Sequence, residues 1–216
     1  MNAAAESIRL NHTPELQYLL RIADTCLIHA QRLVEWCGHG PALEEDIALS
    51  NMALDMLGQA RALLAHAAKV EGQGFDEDQL AFLRDERAYF NLTLVELPMR
   101  RSSAHAPGGD FADTVLRNFL LASWLKALWT QLATSTDGEL AGIAGKAVKE
   151  ARYHQQHAGD WVVRLGDGTT ESKRRMRAAV EQAAPYTAEF FQRDGIDSAA
   201  EASGLGPARD TLQAPW

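Results

Sequence analysis

The stretch from Ile143 to Leu165 constrains the fold more than any other part of the sequence. At a spacing of three and four residues, one stripe of it has the pattern of a helix face turned toward a core. That stripe consists of Ala147, Ala151, His154, Ala158, Trp161 and Leu165. In helix bundles that hold two metal ions, a glutamate and a histidine three residues apart project inward together, as Glu-x-x-His. Position 151 is alanine here, so the stretch is a metal site, the remains of one, or a helix with an ordinary core histidine.

The composition is that of an acidic globular protein. With 216 residues, 46% of them hydrophobic, and a net charge of -8, the chain suits one domain with a full core. This charge argues against nucleic acid and anionic membranes as partners, because both are bound by clustered Lys and Arg. No window is long and apolar enough to span a membrane, and the N-terminus lacks the pattern of a targeting signal. We therefore expect a cytoplasmic protein without a membrane partner.

The two cysteines are expected to be reduced core thiols. Cys26 and Cys37 lie 11 residues apart in one predicted helix, roughly 16 Å along its axis. This separation excludes a disulfide between them.

The hydrophobic periodicity predicts an all-α fold, since no segment alternates with the period of a strand. Caps and helix breakers divide the chain into six predicted helices. These begin at Pro14, Glu45, Glu77, Phe111, Ile143 and Glu171 and end near Cys37, Glu71, Glu96, Thr134, Leu165 and Gln192. Residues 100–110 form the clearest predicted loop, and Pro185 should bend or shorten the last helix. The predicted architecture is an antiparallel four-helix bundle with additional flanking helices.

The predicted domain organisation has three parts. Residues 1–12 are expected to be flexible, and residues 13–192 form the helical domain. Residues 193–216 are rich in Gly, Ala, Ser and Pro, so we expect an extended or poorly ordered tail.

Four inward positions decide whether the bundle can hold metal. They are Met56 and Gln59 on the second helix and Ala151 and His154 on the fifth. A thioether, a carboxamide and a methyl group replace three of the four ligands, whereas oxygen-activating iron sites need several carboxylates. We therefore predict no catalytic residue and no metal ligand in this chain, and treat these four as vestigial ligand positions.

His154 is then expected to be a core imidazole with a hydrogen-bonding partner. Glu150 one turn earlier, or Asp55 and Glu35 across the bundle, could supply it. The predicted core polar network is Glu35, Asp55, Gln59, Glu150 and His154. A ferritin-like metalloenzyme that uses Glu35, Asp55, Glu150 and His154 as displaced ligands is the alternative.

Other sites of chemistry find little support in the sequence. No nucleophile elbow or phosphate-binding loop occurs, and the segment around Cys37 lacks the second cysteine of a dithiol redox site. One basic run is either a solvated face or a docking site for a partner such as a reductase. It consists of Lys173, Arg174, Arg175 and Arg177.

Long runs of this sequence resemble the structural subunit of phenylacetate-CoA oxygenases, the ring 1,2-epoxidases. The matching runs are Glu35 to Pro41, Leu43 to Ala48, Asn51 to Ala62, Phe82 to Arg87, Lys149 to His154 and Trp161 to Thr169. The resemblance covers nearly everything from residue 16 to residue 192. Relatives continue with a further helical segment, which a chain ending at Trp216 is expected to lack or replace.

The resemblance implies a ferritin-like fold and a structural role in a multicomponent di-iron oxygenase. Such an enzyme epoxidises the ring of phenylacetyl-CoA in aerobic phenylacetate degradation. The implied partners are a homologous catalytic subunit, which holds the di-iron centre, and further components including a reductase. In the catalytic relative, the segments matching Met56-x-x-Gln59 and Ala151-x-x-His154 carry Glu-x-x-His, and only His154 keeps a ligand type here. A helical bundle that only mediates assembly in another complex is a further alternative.

Overall fold

A computed structural model describes residues 7–98 and 110–216. Within these ranges the chain forms eight α-helices and no strand, which confirms the all-α prediction. The helices are α1 (Pro14–Val34), α2 (Leu43–Glu71), α3 (Glu77–Phe82), α4 (Thr93–Glu96), α5 (Phe111–Leu132), α6 (Gly138–Gly166), α7 (Thr170–Thr187) and α8 (Gly195–Ser203). Three short 3-10 turns span Glu86–Ala88, Ala188–Phe190 and Arg209–Leu212.

The four long helices form the antiparallel bundle of a ferritin-like fold. Helices α1 and α2 pack closely as one hairpin, and α5 and α6 as another. Thr13 caps α1, Asp110 caps α5 and Asp137 caps α6, each by accepting a backbone N–H from the first turn. The core between the hairpins is formed mainly by leucine, alanine and methionine, with Trp129 as its largest fully buried side chain.

The connection between α1 and α2 depends on two glycines. Gly38 has φ +78°, a conformation that other residues rarely adopt. A Cβ on Gly40 would lie 2.7 Å from that of Asp46, whose carboxylate accepts the Gly40 N–H at 3.1 Å. The indole of Trp36 donates to Thr114 Oγ1 at 2.9 Å and ties this turn to α5.

The prediction of core thiols is right for one cysteine and wrong for the other. Cys26 is fully buried on α1, whereas Cys37 is exposed in the turn that follows this helix. The helix stops at Val34, three residues before Cys37, so the inward stripe of α1 does not extend to it.

The predicted continuous third helix is wrong. The chain between residues 77 and 96 forms α3, a 3-10 turn and α4 instead. Arg84 lies in the break, where its guanidinium pairs with the fully buried carboxylate of Asp24 on α1. Asp24 also accepts the Phe90 N–H at 3.0 Å. These interactions across the fold outweigh the local helical pattern.

The C-terminal segment differs from the expected extended or poorly ordered tail. Asp194 and Asp197 form a capping box at the start of α8, and both accept hydrogen bonds from Arg21 on α1. Leu205 and Leu212 are buried, and the Trp216 indole donates to the Leu120 carbonyl at 2.9 Å. Specific hydrogen bonds and buried side chains thus attach the C-terminal segment to the bundle. Its composition of small residues does not predict these contacts.

Most of the other predicted ends lie within two residues of those observed, but α6 begins at Gly138, five residues before the predicted start at Ile143. Pro185 lies inside α7 near its end, and the helix stops at Thr187 rather than near Gln192. Residues 1–6 of the predicted flexible N-terminus, and nearly all of the predicted loop at residues 100–110, lie outside the described residues. Ile8 donates its N–H to the Leu83 carbonyl at 2.9 Å, so the end of the N-terminal segment is attached to the bundle. In the described part of the chain, no helix is both long and apolar enough to cross a membrane.

Candidate functional site

The four inward positions that the sequence analysis interprets as vestigial ligand positions lie between neighbouring helices of the bundle. Helices α2 and α6 run antiparallel, so the middle of one lies beside the middle of the other. Met56, Gln59, Ala151 and His154 are all buried there. The helical period places them on inward faces, as the sequence pattern predicts.

His154 is hydrogen-bonded to Asp55 across the seam between α6 and α2. The distance from His154 Nε2 to Asp55 Oδ2 is 3.0 Å, and the carboxylate is 39% exposed. Burial lowers the pKa of His154 below its ordinary value, although the nearby charges of Asp55 and Glu150 oppose this. Of the three partners considered from sequence, Asp55 is the one in contact.

Gln59 connects the core to a second carboxylate. Its amide Nε2 donates to Glu150 Oε2 at 2.7 Å, and its Oε1 accepts from the Cys26 thiol at 3.7 Å. Burial raises the pKa of the Cys26 thiol, which therefore stays protonated and acts as a donor. The Gln59 carboxamide is thus hydrogen-bonded to the Cys26 thiol on one side and to the Glu150 carboxylate on the other.

Glu35 does not join the other four residues of the predicted polar network. It lies just after α1, where its carboxylate accepts from Arg32 at 2.5 Å and is 41% exposed. The remaining four form two pairs, His154 with Asp55 and Gln59 with Glu150. The ligand set of the alternative metalloenzyme is therefore not assembled around one point.

The structure contains a second polar cluster that the sequence reasoning missed. His29 Nε2 lies 3.2 Å from Asn118 Oδ1, and the Asn118 amide donates to Met52 Sδ at 3.2 Å. Complete burial lowers the pKa of His29 to about 3, so the ring is neutral. The sequence does carry a signal for this cluster, because α1 has a second stripe of inward positions at helical spacing. This stripe consists of Ile22, Cys26, His29 and Leu33.

Further polar pairs lie along the same seam between α2 and α6. His157 Nε2 lies 3.0 Å from Glu45 Oε2, and His66 Nε2 lies 2.6 Å from Asp137 Oδ2 at the N-cap of α6. Together with His154 and Asp55, these imidazole–carboxylate pairs join the two helices at several levels. The seam between α2 and α6 therefore has polar contacts at several levels beside buried apolar side chains such as Met56 and Ala151.

The residues at the vestigial positions do not fit a di-iron centre. Such a centre takes several carboxylates and two histidines from the four helices. The side chains present are the Met56 thioether, the Gln59 carboxamide and the Ala151 methyl group, and His154 is engaged by Asp55. Among the described residues, no three His, Cys, Asp or Glu side chains converge on a point suited to a metal ion.

The basic run lies on the exposed side of α7, and its charge is partly neutralised. Arg174 and Arg175 both contact the carboxylate of Glu171 at 2.8 Å. Lys173 and Arg177 are exposed. The geometry is that of a solvated helix face with two cations available to a partner.

Comparisons with known proteins show the family of this chain. A family model described as "Phenylacetic acid catabolic protein" matches residues 1–216. The chain is 48% identical over 199 residues to a curated subunit of the 1,2-phenylacetyl-CoA epoxidase of Escherichia coli (strain K12). This alignment covers 92% of the chain and 76% of the relative. Because the family model matches the whole sequence, the chain belongs to the phenylacetic acid catabolic protein family.

Proposed function

We propose that this chain is a structural, non-catalytic subunit of a phenylacetyl-CoA 1,2-epoxidase. In this role it pairs with a homologous catalytic subunit, which holds the di-iron centre, and stabilises that subunit. A reductase is a further component of the proposed complex, and the exposed Lys173 and Arg177 offer an acidic partner a place to dock.

One observation carries the proposal. The chain keeps the bundle of a di-iron protein, but the two polar side chains at its inward positions are hydrogen-bonded to neighbouring carboxylates, and the other two positions hold a thioether and a methyl group. Gln59 bonds to Glu150, and His154 bonds to Asp55. A neutral carboxamide has replaced a metal-binding imidazole or carboxylate in the middle of α2, which suits a stable core and not oxygen activation. The name of the Escherichia coli relative, an epoxidase subunit, supports the choice of substrate and of complex.

The experiment is metal analysis and turnover with separately purified subunits. This chain and the catalytic subunit, which carries intact Glu-x-x-His pairs, are loaded with Fe(II), desalted and analysed alone and as a complex. We expect two iron ions per catalytic subunit, both alone and in the complex, and no iron retained by this chain alone. Epoxidation of phenylacetyl-CoA in the presence of the reductase should require both chains.

A variant separates a structural role from a catalytic one. Replacing His154 by Gln removes the imidazole and keeps a hydrogen-bonding side chain toward Asp55. We expect the complex of this variant to keep its iron content and its turnover once assembled. Two equivalents of iron on the isolated chain, or a complex that assembles fully yet loses turnover in the variant, would contradict the proposal.

A further inference from the structure

A groove of about 640 Å³ lies between α2 and α6, on the outside of the bundle. Its walls are built largely from small or apolar side chains. They include Leu54, Gly58 and Ala62 from α2 and Gly142, Ile143 and Ala147 from α6. The small side chains leave room for another backbone to approach both helices closely.

The groove is open because its two helices are not closely packed together. Helices α2 and α1 interlock along their length, as do α5 and α6, whereas α2 and α6 touch more sparsely. Beside the groove, α2 exposes large apolar side chains to solvent. Leu54 is 64% exposed, Ile47 is 52% exposed and Leu57 is 45% exposed. An exposed apolar strip of this kind is typical of a surface that another protein covers.

The charged side chains of the groove indicate which kind of protein surface can bind there. Asp55 and Glu150 line the groove, and each uses one carboxylate oxygen in a hydrogen bond to the core. Among the described lining residues, Lys146 is the one basic side chain, and Glu139 is paired with Lys69 at 2.7 Å. The groove therefore carries an excess of negative charge between apolar walls. A covering surface needs cations in the middle and apolar side chains around them.

A second copy of this chain is a poor match for this charge. Two identical chains meet most often about a two-fold axis, which brings the same patch of each chain together. In a groove-to-groove pair, Asp55 and Glu150 of one copy would face the same carboxylates of the other. A different chain that presents Lys or Arg at this point avoids that repulsion.

We propose that this groove receives an amphipathic helix of the homologous catalytic subunit. The apolar face of that helix packs on Leu54 and the glycine-lined walls, and its Lys or Arg side chains pair with Asp55 and Glu150. The inference rests on the proposed function for the identity of the partner, and adds to it the surface of this chain that is used.

Two glycines allow the groove to be filled without disturbing the fold. A Cβ added to Gly58 or Gly142 meets no heavy atom within 4 Å, and neither glycine has the positive φ that would strain a substitution. Gly58→Gln and Gly142→Gln therefore place a long side chain in the groove while favouring the helix. Gly145→Gln is the matched control, because Gly145 lies on the same helix as Gly142, also has open space around its Cβ, and does not line the groove.

The experiment is calorimetric titration of each variant with the purified catalytic subunit, after circular dichroism has shown wild-type helix content. We expect Gly145→Gln to bind within about twofold of the wild type, and Gly58→Gln and Gly142→Gln to bind at least about tenfold more weakly. If both groove variants bind as tightly as the control, the partner covers another face and the inference is overturned, while the proposed function stands. If the wild type itself does not bind the subunit, both fall.

The proposed pairing of the groove carboxylates with cations of the partner is tested separately, through the salt dependence of binding. Replacing Glu150 by Gln keeps an oxygen that can accept from Gln59 and removes one negative charge from the groove. The affinity of the wild type should fall as NaCl is raised, and this dependence should be shallower in the variant. Equal salt dependence in both would exclude paired cations at this position.

Discussion

At the scale of single residues, Gln59 and His154 are the two polar side chains among the four inward positions, and each is hydrogen-bonded to a carboxylate. The chain of donors and acceptors runs from the Cys26 thiol through Gln59 to Glu150. His154 and Asp55 form a separate pair. Sequence reasoning found the inward positions from their spacing, but it could not choose between Asp55 and Glu150 for His154, because both lie within reach of a helical imidazole. The relative position of α2 and α6 along their axes determines which of the two carboxylates contacts His154.

The Gln59–Glu150 pair leads to a prediction about charge in the seam. Replacing Gln59 by Glu sets a second carboxylate against Glu150, which at present accepts a hydrogen bond of 2.7 Å from the amide. The loss of the bond and the repulsion should lower the free energy of unfolding by about 2 to 4 kcal/mol at neutral pH. Urea denaturation at pH 7 measures this difference.

The exchanged pair is the control for that prediction. In Gln59→Glu combined with Glu150→Gln, the same two positions again hold one amide and one carboxylate. Most of the lost stability should return, giving a coupling free energy well above the few tenths of a kcal/mol seen for independent sites. Additive effects of the two changes would mean that the residues do not interact.

At the scale of helices and connecting segments, the sequence predicted the long elements well and the irregular ones poorly. The end of α2 at Gly72 and the start of α6 at Asp137 follow from a glycine stop and a side-chain cap that act locally. The break between α3 and α4 has no such local cause, since residues 77–96 are compatible with a helix by composition. It arises because Arg84 pairs with Asp24, which lies 60 residues away in the chain. The C-terminal segment is ordered for the same reason, through the contacts of Arg21 with Asp194 and Asp197.

The buried Arg84–Asp24 pair should therefore be what holds the segment after α3 against α1. Both side chains are fully buried, and Arg84 also donates to the carbonyls of Leu80 and Ala88. Arg84→Met leaves the Asp24 carboxylate buried without its charge partner, so the free energy of unfolding should fall by about 3 to 5 kcal/mol. Hydrogen exchange should show the Phe90 amide losing protection, because Asp24 accepts from it.

Two further variants test the origin of that loss. Arg87→Met, at an exposed position in the neighbouring turn, should change the stability little. Arg84→Met combined with Asp24→Leu removes both charges and should recover part of the lost stability, although the Phe90 amide still lacks its acceptor. A double variant as unstable as the sum of the two single variants would argue against a paired charge.

At the scale of the whole molecule, the fold is two tight hairpins packed around a shared apolar core, with polar pairs along the seam between α2 and α6. The hydrophobic pattern predicts which side of α6 faces the core, and Ala147, Ala151, His154 and Ala158 on that side are all buried. The pattern does not say how closely two inward faces approach, because that depends on the side chains of both helices at once. The open groove between α2 and α6 was therefore not foreseen, and neither was the burial of a second neutral histidine, His29, beside His154 inside the bundle.

These two buried histidines predict how the whole protein responds to acid. Burial lowers the pKa of both, that of His29 to about 3. In the unfolded chain their pKa is near 6.5, so below that pH the unfolded state binds protons that the folded state does not. The free energy of unfolding should thus be greatest above about pH 7 and fall as the pH drops. His29 alone should contribute about 1.4 kcal/mol per pH unit from roughly pH 6 toward its folded pKa.

Urea denaturation between pH 8 and pH 4.5 tests this contribution by comparing variants. Over most of this range the carboxylates remain charged in both states, so the histidines dominate the slope. His29→Gln removes the proton uptake, and its stability should fall less steeply with acid than that of the wild type, by about 2 kcal/mol between pH 7 and pH 5. His39→Gln, at an exposed site in the turn before α2, should follow the wild type. Parallel curves for all three proteins would show that His29 gains its proton as readily in the fold as in water, and that the bundle interior admits charge.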